Sequence, residues 1–129
     1  MAEPGQGFYP YQATIDAYGN GGFRFAGMSH RGSLLCLPSG MHKWDAVTAG
    51  GISRLSLEPV FSVADQIDVL LVGLGSEISG FDKALRQALR ERNIIVEAVA
   101  TGGAVRTYNI LLAESRAVGA ALIAVDNVR

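Results

Sequence analysis

The sequence predicts a single α/β domain with a β-meander in its N-terminal half, and three observations carry that expectation. Apolar and polar residues alternate with a period of two over residues 9–17, the mark of a half-buried strand. Residues 67–73, IDVLLVG, form a nearly continuous aliphatic run of the kind found in strands covered on both faces. Between that run and the apolar stretch 94–100 lies a segment of helical period, so residues 67–100 read as a βαβ unit with parallel, right-handedly joined strands.

Residues 1–8 are mostly small or polar and are expected to be loose, leaving 9–129 as the folded domain. Tyr9, Tyr11, Ala13, Ile15 and Ala17 alternate with Pro10, Gln12, Thr14 and Asp16, with Pro10 suited to an edge or strand start. Asn20-Gly21 supplies the chemistry of a tight hairpin turn, followed by a return strand over 23–26. The turn His30-Arg31-Gly32 sets off a third strand over 33–37, which Pro38-Ser39-Gly40 closes, completing the meander. Residues 41–51 have no clear period and read as a loop with Trp44 as its packing plug. Ser56 is placed to cap a short helix over 57–64, with Pro59 in its first turn.

After the strand 67–73, Gly73-Leu74-Gly75 turns the chain and Ser79 is placed to cap a helix over 80–92, with Asp82 three residues on. Phe81, Ala84, Leu85, Ala88 and Leu89 fall on one side of that helix and Lys83, Arg86, Gln87 and Arg90 on the other. Strand 94–100 follows, then a helix from residue 101, then a last strand over 120–125.

An apolar fraction of 49% with 18% charged residues predicts a packed core. A net charge of -1 gives no broad electrostatic footprint for nucleic acid or an anionic membrane. Cys36 is the only cysteine, which excludes an intramolecular disulfide and a cysteine-rich zinc site. It stands in an apolar strand, where a thiol is inert. His30 and His42 lack metal-ligand spacing, and no G-x-S-x-G occurs, so no metal, cofactor or catalytic residue is assigned. Residues 1–12 show no signal-peptide pattern and no apolar run reaches membrane-spanning length, so the expectation is a cytoplasmic protein.

The stretch 101–122, TGGAVRTYNILLAESRAVGAAL, concentrates the polar side chains of an otherwise apolar chain. Thr101 is expected to cap the helix, while Gly102 and Gly103 let the chain turn sharply out of the strand. Ala104, Val105, Tyr108, Leu111, Leu112 and Ser115 cover the arc expected to face the sheet. Thr107 and Glu114 border that arc on one side, Asn109 and Arg116 on the other. Ile110 points away from its centre, to be covered by the chain or exposed for a partner. Two readings stay open for these polar residues. In one, Glu114 pairs with an arginine and Asn109 holds a neighbouring loop; in the other, they bind or react.

Gly73-Leu74-Gly75 begins like a dinucleotide fingerprint, but Ile78 stands where the third glycine belongs and no acidic residue ends the next strand. The turns Gly73–Ser76 and Thr101–Gly103 both follow parallel strands and form a candidate crevice for a small anion or molecule. Lys83, Arg86, Arg90 and Arg92 make a basic series, read as a solvated face or as a docking surface for an acidic partner.

The run Thr101, Ala104, Thr107, Tyr108, Asn109, Leu111, Glu114, Arg116, Val118, Ala120, Ala121 and Leu122 resembles the C-terminal signature of a known small domain. It is the domain shared by mitochondrial respiratory complex I assembly factor three and its bacterial and archaeal relatives. Asp16-Ala17-Tyr18-Gly19, Gly22-Phe23-Arg24-Phe25, the Trp44 segment and Gly73-Leu74-Gly75 extend the resemblance over residues 11–125. It implies a three-layer α/β domain with a central mixed sheet, helices against it and an extra β layer from the N-terminal half. The mitochondrial relatives it points to act as assembly factors through a protein partner and membrane-associated intermediates, without known catalytic residues. Ser115 and Leu74 depart from that family's usual glycine and small residue.

The sequence thus leads to a non-enzymatic protein-binding or assembly module whose contacts lie on the helix 101–116 around Arg106, Asn109 and Ile110. The alternative is a small-molecule or anion binder, or weak enzyme, at the glycine turns. Peripheral membrane association and homo-oligomerisation are left open.

Overall fold

The alternation that marks strands in the sequence also sorts the core into two halves. The computed structural model describes residues 8–76 and 80–126. Its elements are β1 Phe8–Tyr9, β2 Ala17–Gly19, β3 Gly22–Phe25, β4 Met28–Arg31, β5 Ser33–Leu37, β6 Gly40–Trp44, α1 Glu58–Ser62, β7 Val69–Gly73, α2 Lys83–Arg90, β8 Ile95–Val99, α3 Thr101–Ala113 and β9 Val118–Leu122. Six strands form one sheet in the order β1-β6-β5-β9-β7-β8, and β2-β3-β4 form a second. β7 runs parallel to β8 and β9, whereas β5 runs antiparallel to β6 and β9, so the large sheet is mixed.

Because successive side chains leave a strand on opposite faces, each central strand feeds two cores. Leu35 and Leu37 of β5, Leu70 and Val72 of β7, and Ala121 of β9 pack with Leu57 and Val60 near α1 and Leu85 and Leu89 of α2. Leu34 and Cys36, Leu71, and Ala120 and Leu122 pack on the other face with Ala104, Val105 and Tyr108 of α3 and with Phe23 and Phe25 of the small sheet. The result is a three-layer α/β domain: α1 and α2, the mixed sheet, then α3 beside the small antiparallel sheet. That is the predicted fold class.

Several elements differ from expectation for identifiable reasons. The expected strand over 9–17 is divided: β1 pairs with β6, β2 pairs with β3, and residues 10–16 between them belong to no ladder. The expectation of a loose start over 1–8 lies outside the described residues up to residue 7, and Phe8 is in β1. The turn at His30 to Gly32 is displaced, because His30 and Arg31 close β4. That strand was hidden by its turn, which places Ala26 (φ 51°) and Gly27 (φ 76°) in the left-handed region. An alanine seldom takes such a conformation, so Ala26 gave no turn signal. The third strand of the meander is therefore β4, and β5 joins the large sheet instead.

Residues 40–44 are strand β6, not loop, paired along the whole of β5. Trp44 is nevertheless a plug: it is 4% exposed and its Nε1 donates to the Ser56 carbonyl at 2.8 Å. Ser56 caps no helix; its hydroxyl exchanges hydrogen bonds with Ser53, and Leu57 precedes α1. The proposed cap Ser79 lies outside the described residues, and α2 starts later than expected because the Asp82 carboxylate accepts from the Leu85 N–H at 2.9 Å. The last strand is shifted towards the N-terminus, to Val118–Leu122, in register with Val69–Gly73.

Gly73 ends β7 where α3 begins. A Cβ there would lie 2.9 Å from both Cα and Oγ1 of Thr101 and 3.1 Å from Cδ2 of Leu122. Gly73→Ala is expected to lower the unfolding free energy by about 1–3 kcal/mol through overpacking, measured by urea denaturation with an unchanged m-value.

Candidate functional site

The candidate residues fall into three groups around α3. The first is a junction at the carboxyl ends of the parallel strands. Thr101, expected as the helix cap, is instead the first residue of α3, after Ala100 as N-cap. Its hydroxyl is fully buried and points away from the helix, donating to the Ile123 carbonyl at 2.7 Å and accepting from the Gly75 N–H at 3.0 Å. The Thr101 N–H donates to the Gly75 carbonyl at 2.9 Å. The two glycine turns are therefore adjacent, as the crevice reading required, but their main junction groups are bonded to each other. The space between them, bordered by Tyr18, Ser76, Gly103 and Arg106, is about 80 Å³. The Tyr18 hydroxyl closes directly on Gly102, so a Cβ there would require the Tyr18 ring to shift. A larger hollow, about 480 Å³, opens on the other side of Gly75 and Ser76, against residues 47–50 and 123–126.

The second group holds the segment 12–16 against α3. The Asn109 side chain accepts from the Ile15 N–H at 2.8 Å and donates to the Ile15 carbonyl at 2.8 Å, imitating a strand partner. The fully buried Tyr108 donates its hydroxyl proton to the Ala13 carbonyl at 2.7 Å. Gln12 donates to the Val118 carbonyl at 2.7 Å. Asn109 thus holds a neighbouring segment, the structural reading of that residue. Tyr108 also meets Cys36, and burial pushes the pKa of both groups well above its ordinary value, with the hydrogen-bond contact to Tyr108 opposing the Cys36 shift. The thiol is inert in the folded chain. His42 is shifted down by burial, favouring neutral imidazole.

The third group is exposed. Ile110 is 59% exposed on the outer side of α3, with Arg106 exposed one turn before it and Thr107 half-buried. Glu114 is the exposed C-cap, and Arg116 is exposed beyond it. Ser115, expected to face the sheet, is exposed with φ 60°, because the helix has already ended at Ala113. The turn uses a serine in the left-handed conformation where glycine is usual, so the sequence did not announce the stop.

Sequence reasoning missed the neighbours of Ile110. Ile95 is 64% exposed and Val99 38% exposed, both on β8, the last strand of the sheet. A Cβ on Gly103 would lie 3.6 Å from Val99, so α3 passes beside β8. From Gly103 to Ile110 the helix rises about 10 Å, and from Val99 back to Ile95 the strand runs about 13 Å, both away from the junction. Ile110, Val99 and Ile95 therefore belong to one side of the domain. Isoleucine and valine in an apolar run gave no sign that β8 was an edge. The basic series is not uniform either: Arg86 donates to the Val96 carbonyl at 2.8 Å, while Lys83, Arg90 and Arg92 are exposed.

Replacing Thr101 by the isosteric valine leaves the Gly75 N–H and the Ile123 carbonyl without their shared partner. Thr101→Val is expected to destabilise by about 2–4 kcal/mol, and Asn109→Ala by less, about 1–3 kcal/mol, because its partners can reach water. Parallel chemical denaturation of the two variants checks the order.

An uncharacterized protein of Rhodobacter capsulatus is 40% identical over 109 residues, covering 84% of this chain and 82% of its own. The NADH dehydrogenase [ubiquinone] 1 alpha subcomplex assembly factor 3 of Mus musculus is 31% identical over 118 residues, 92% of this chain, and this chain spans 64% of its length. A crystal structure described as an outer membrane protein from Bartonella henselae superposes with a TM-score of 0.88 at 49% identity, covering 92% of this chain and 99% of that one. In the chain described here no helix among the described residues is long and apolar enough to cross a membrane. A family model for a protein of unknown function (DUF498/DUF598) matches residues 15–123, from the Ile15 held by Asn109 to the Ile123 held by Thr101, and the chain belongs to that family.

Proposed function

We propose that this chain is a non-enzymatic protein-binding module of the assembly-factor type, which docks a protein partner on the face formed by β8 and the outer side of α3. The observation that carries this reading is the exposure of large apolar side chains on two adjacent elements, Ile95 and Val99 on the edge strand β8 and Ile110 on α3. Isolated exposed apolar residues are ordinary, whereas several of them along the open edge of a sheet favour association. β8 turns the N–H and C=O of Ile95 and Val99 towards β7, since Ile95 donates to Asp68 and Val99 accepts from Leu74. By the parallel ladder geometry, Val96 and Ala98 turn theirs outwards. Arg86 occupies the Val96 carbonyl, so the accessible main chain centres on Ala98. A partner segment lying there would meet apolar side chains at both ends of the strand and the Arg106 guanidinium towards the junction.

The relative named as an NADH dehydrogenase assembly factor supports a role in assembling a protein complex, and in this reading the module does that work as a cytoplasmic protein. The relative's named function belongs to a longer protein, of which this chain matches part. Binding of a small molecule or anion beside Gly75 and Ser76 is the second reading, favoured by the 480 Å³ hollow against that turn.

Affinity co-purification from the native host, on soluble and membrane fractions separately, tests the first reading. Ile110→Glu and Ile95→Glu are each expected to fold normally by circular dichroism and to reduce partner recovery by about tenfold or more, the effect of losing one buried anchor. Undiminished recovery with both variants overturns the surface. For the second reading, a metabolite at about a hundred times its dissociation constant should stabilise the fold by about 2.7 kcal/mol, seen as a rise in Tm. A panel of anions and nucleotides without such a rise removes it.

A further inference from the structure

Residues 12–16 lie across α3 and the ends of β5 and β9 as an extended strap outside the ladders, joined to the small sheet by a main-chain bond from the Asp16 N–H to the Arg24 carbonyl of β3 at 2.8 Å. What holds the strap is unusual in one respect: the surface beneath it grips main-chain atoms with side chains. Asn109 takes both polar groups of Ile15, Tyr108 takes the Ala13 carbonyl, and the Ala13 N–H rests 3.4 Å from the Met41 sulfur. Only Ile15 of the strap is buried; Gln12 and Ala13 are half-buried, and Thr14 and Asp16 are exposed. Ile15 enters the cluster of Phe23, Phe25, Val105 and Tyr108. Such a surface selects an extended backbone carrying a small residue and, two positions on, a branched aliphatic one, with the Gln12 amide of the strap adding a bond to the Val118 carbonyl. Binding by main-chain bonds with alternate side-chain pockets is how extended peptides are recognised generally.

We propose that the groove lined by Met41, Val105, Tyr108 and Asn109 is a binding site for an extended peptide of the pattern small-x-aliphatic, and that the chain's own strap is its resident, competing occupant. The strap can open apart from the sheet. It has one buried anchor, and its bonds to the groove run through side chains, whereas β5 beneath is paired on both sides. Local opening of such segments occurs without global unfolding. A peptide from another protein would then compete with the strap, and its apparent affinity would be lowered by the fraction of time the groove is vacant. This site is separate from the β8 face.

The test uses the full chain and a fluorescein-labelled peptide with the sequence of residues 9–18. Ile15→Ala weakens the strap's anchor and leaves the groove intact. Fluorescence anisotropy should show the peptide binding this variant about tenfold more tightly than the wild type, in proportion to the larger open fraction. Adding Asn109→Ala should remove the gain, and a peptide with alanine in place of its isoleucine should bind neither protein. Equal binding to wild type and Ile15→Ala, or no binding to either, overturns the proposal. Should Ile15→Ala fail to fold, hydrogen exchange on the wild-type protein decides. The Ile15 amide should exchange faster than those of β5, and faster again with excess peptide. Exchange of Ile15 only together with β5, or unaffected by the peptide, overturns the proposal equally.

Discussion

The hydroxyl of Thr101 is the point on which this structure closes. In one buried position it joins the turn after β7, the chain leaving β9 and the first residue of α3. Parallel strands need long crossovers, and their carboxyl ends are where main-chain groups run out of ladder partners. Here the Gly75 N–H and the Ile123 carbonyl would be such groups. A buried group without a partner costs about 1–3 kcal/mol, so a single hydroxyl that donates to one and accepts from the other stabilises the whole junction. The same arrangement explains Gly73, which must lack a Cβ for Thr101 to come so close.

With α3 fixed at its start, its length divides labour between two sides. Asn109 and Tyr108 face the N-terminal strap and give it the hydrogen bonds that a neighbouring strand would have given. Ile110, next in sequence, faces outwards. A helix turns about 100° per residue, so adjacent residues serve opposite purposes without conflict. The polar residues on the strap side, Tyr108 and Asn109, are therefore structural, and the exposed side sets Ile110 among Arg106, Glu114 and Arg116.

Natural sheets commonly blunt their edges with charge, short strands or cover. β8 carries Glu97 between Ile95 and Val99 and has Arg86 bonded over one of its carbonyls, a partial protection that leaves the rest of the edge open. An edge protected against indiscriminate pairing, yet flanked by exposed aliphatic residues, suits a protein that must pair with one chosen partner. The assembly-factor relative has a name consistent with such a role.

The sequence by itself determined the α/β class, the parallel β7-α2-β8 unit, the buried Trp44 and Cys36, and the family, because these rest on local period and on a spread of residues that the chain carries openly. It did not determine β4 or the end of α3. Ala26 and Ser115 take left-handed conformations that their residue types do not signal. Nor could period alone separate strand from strap over residues 9–17, since an extended segment alternates whether its backbone is bonded by a neighbouring strand or by Asn109 and Tyr108. Only the tertiary structure decided that Thr101 is a junction rather than a cap, and that β8 is an edge whose Ile95 and Val99 reach the surface. Each depends on which elements become neighbours, and that is settled by packing across the sheet rather than along the chain.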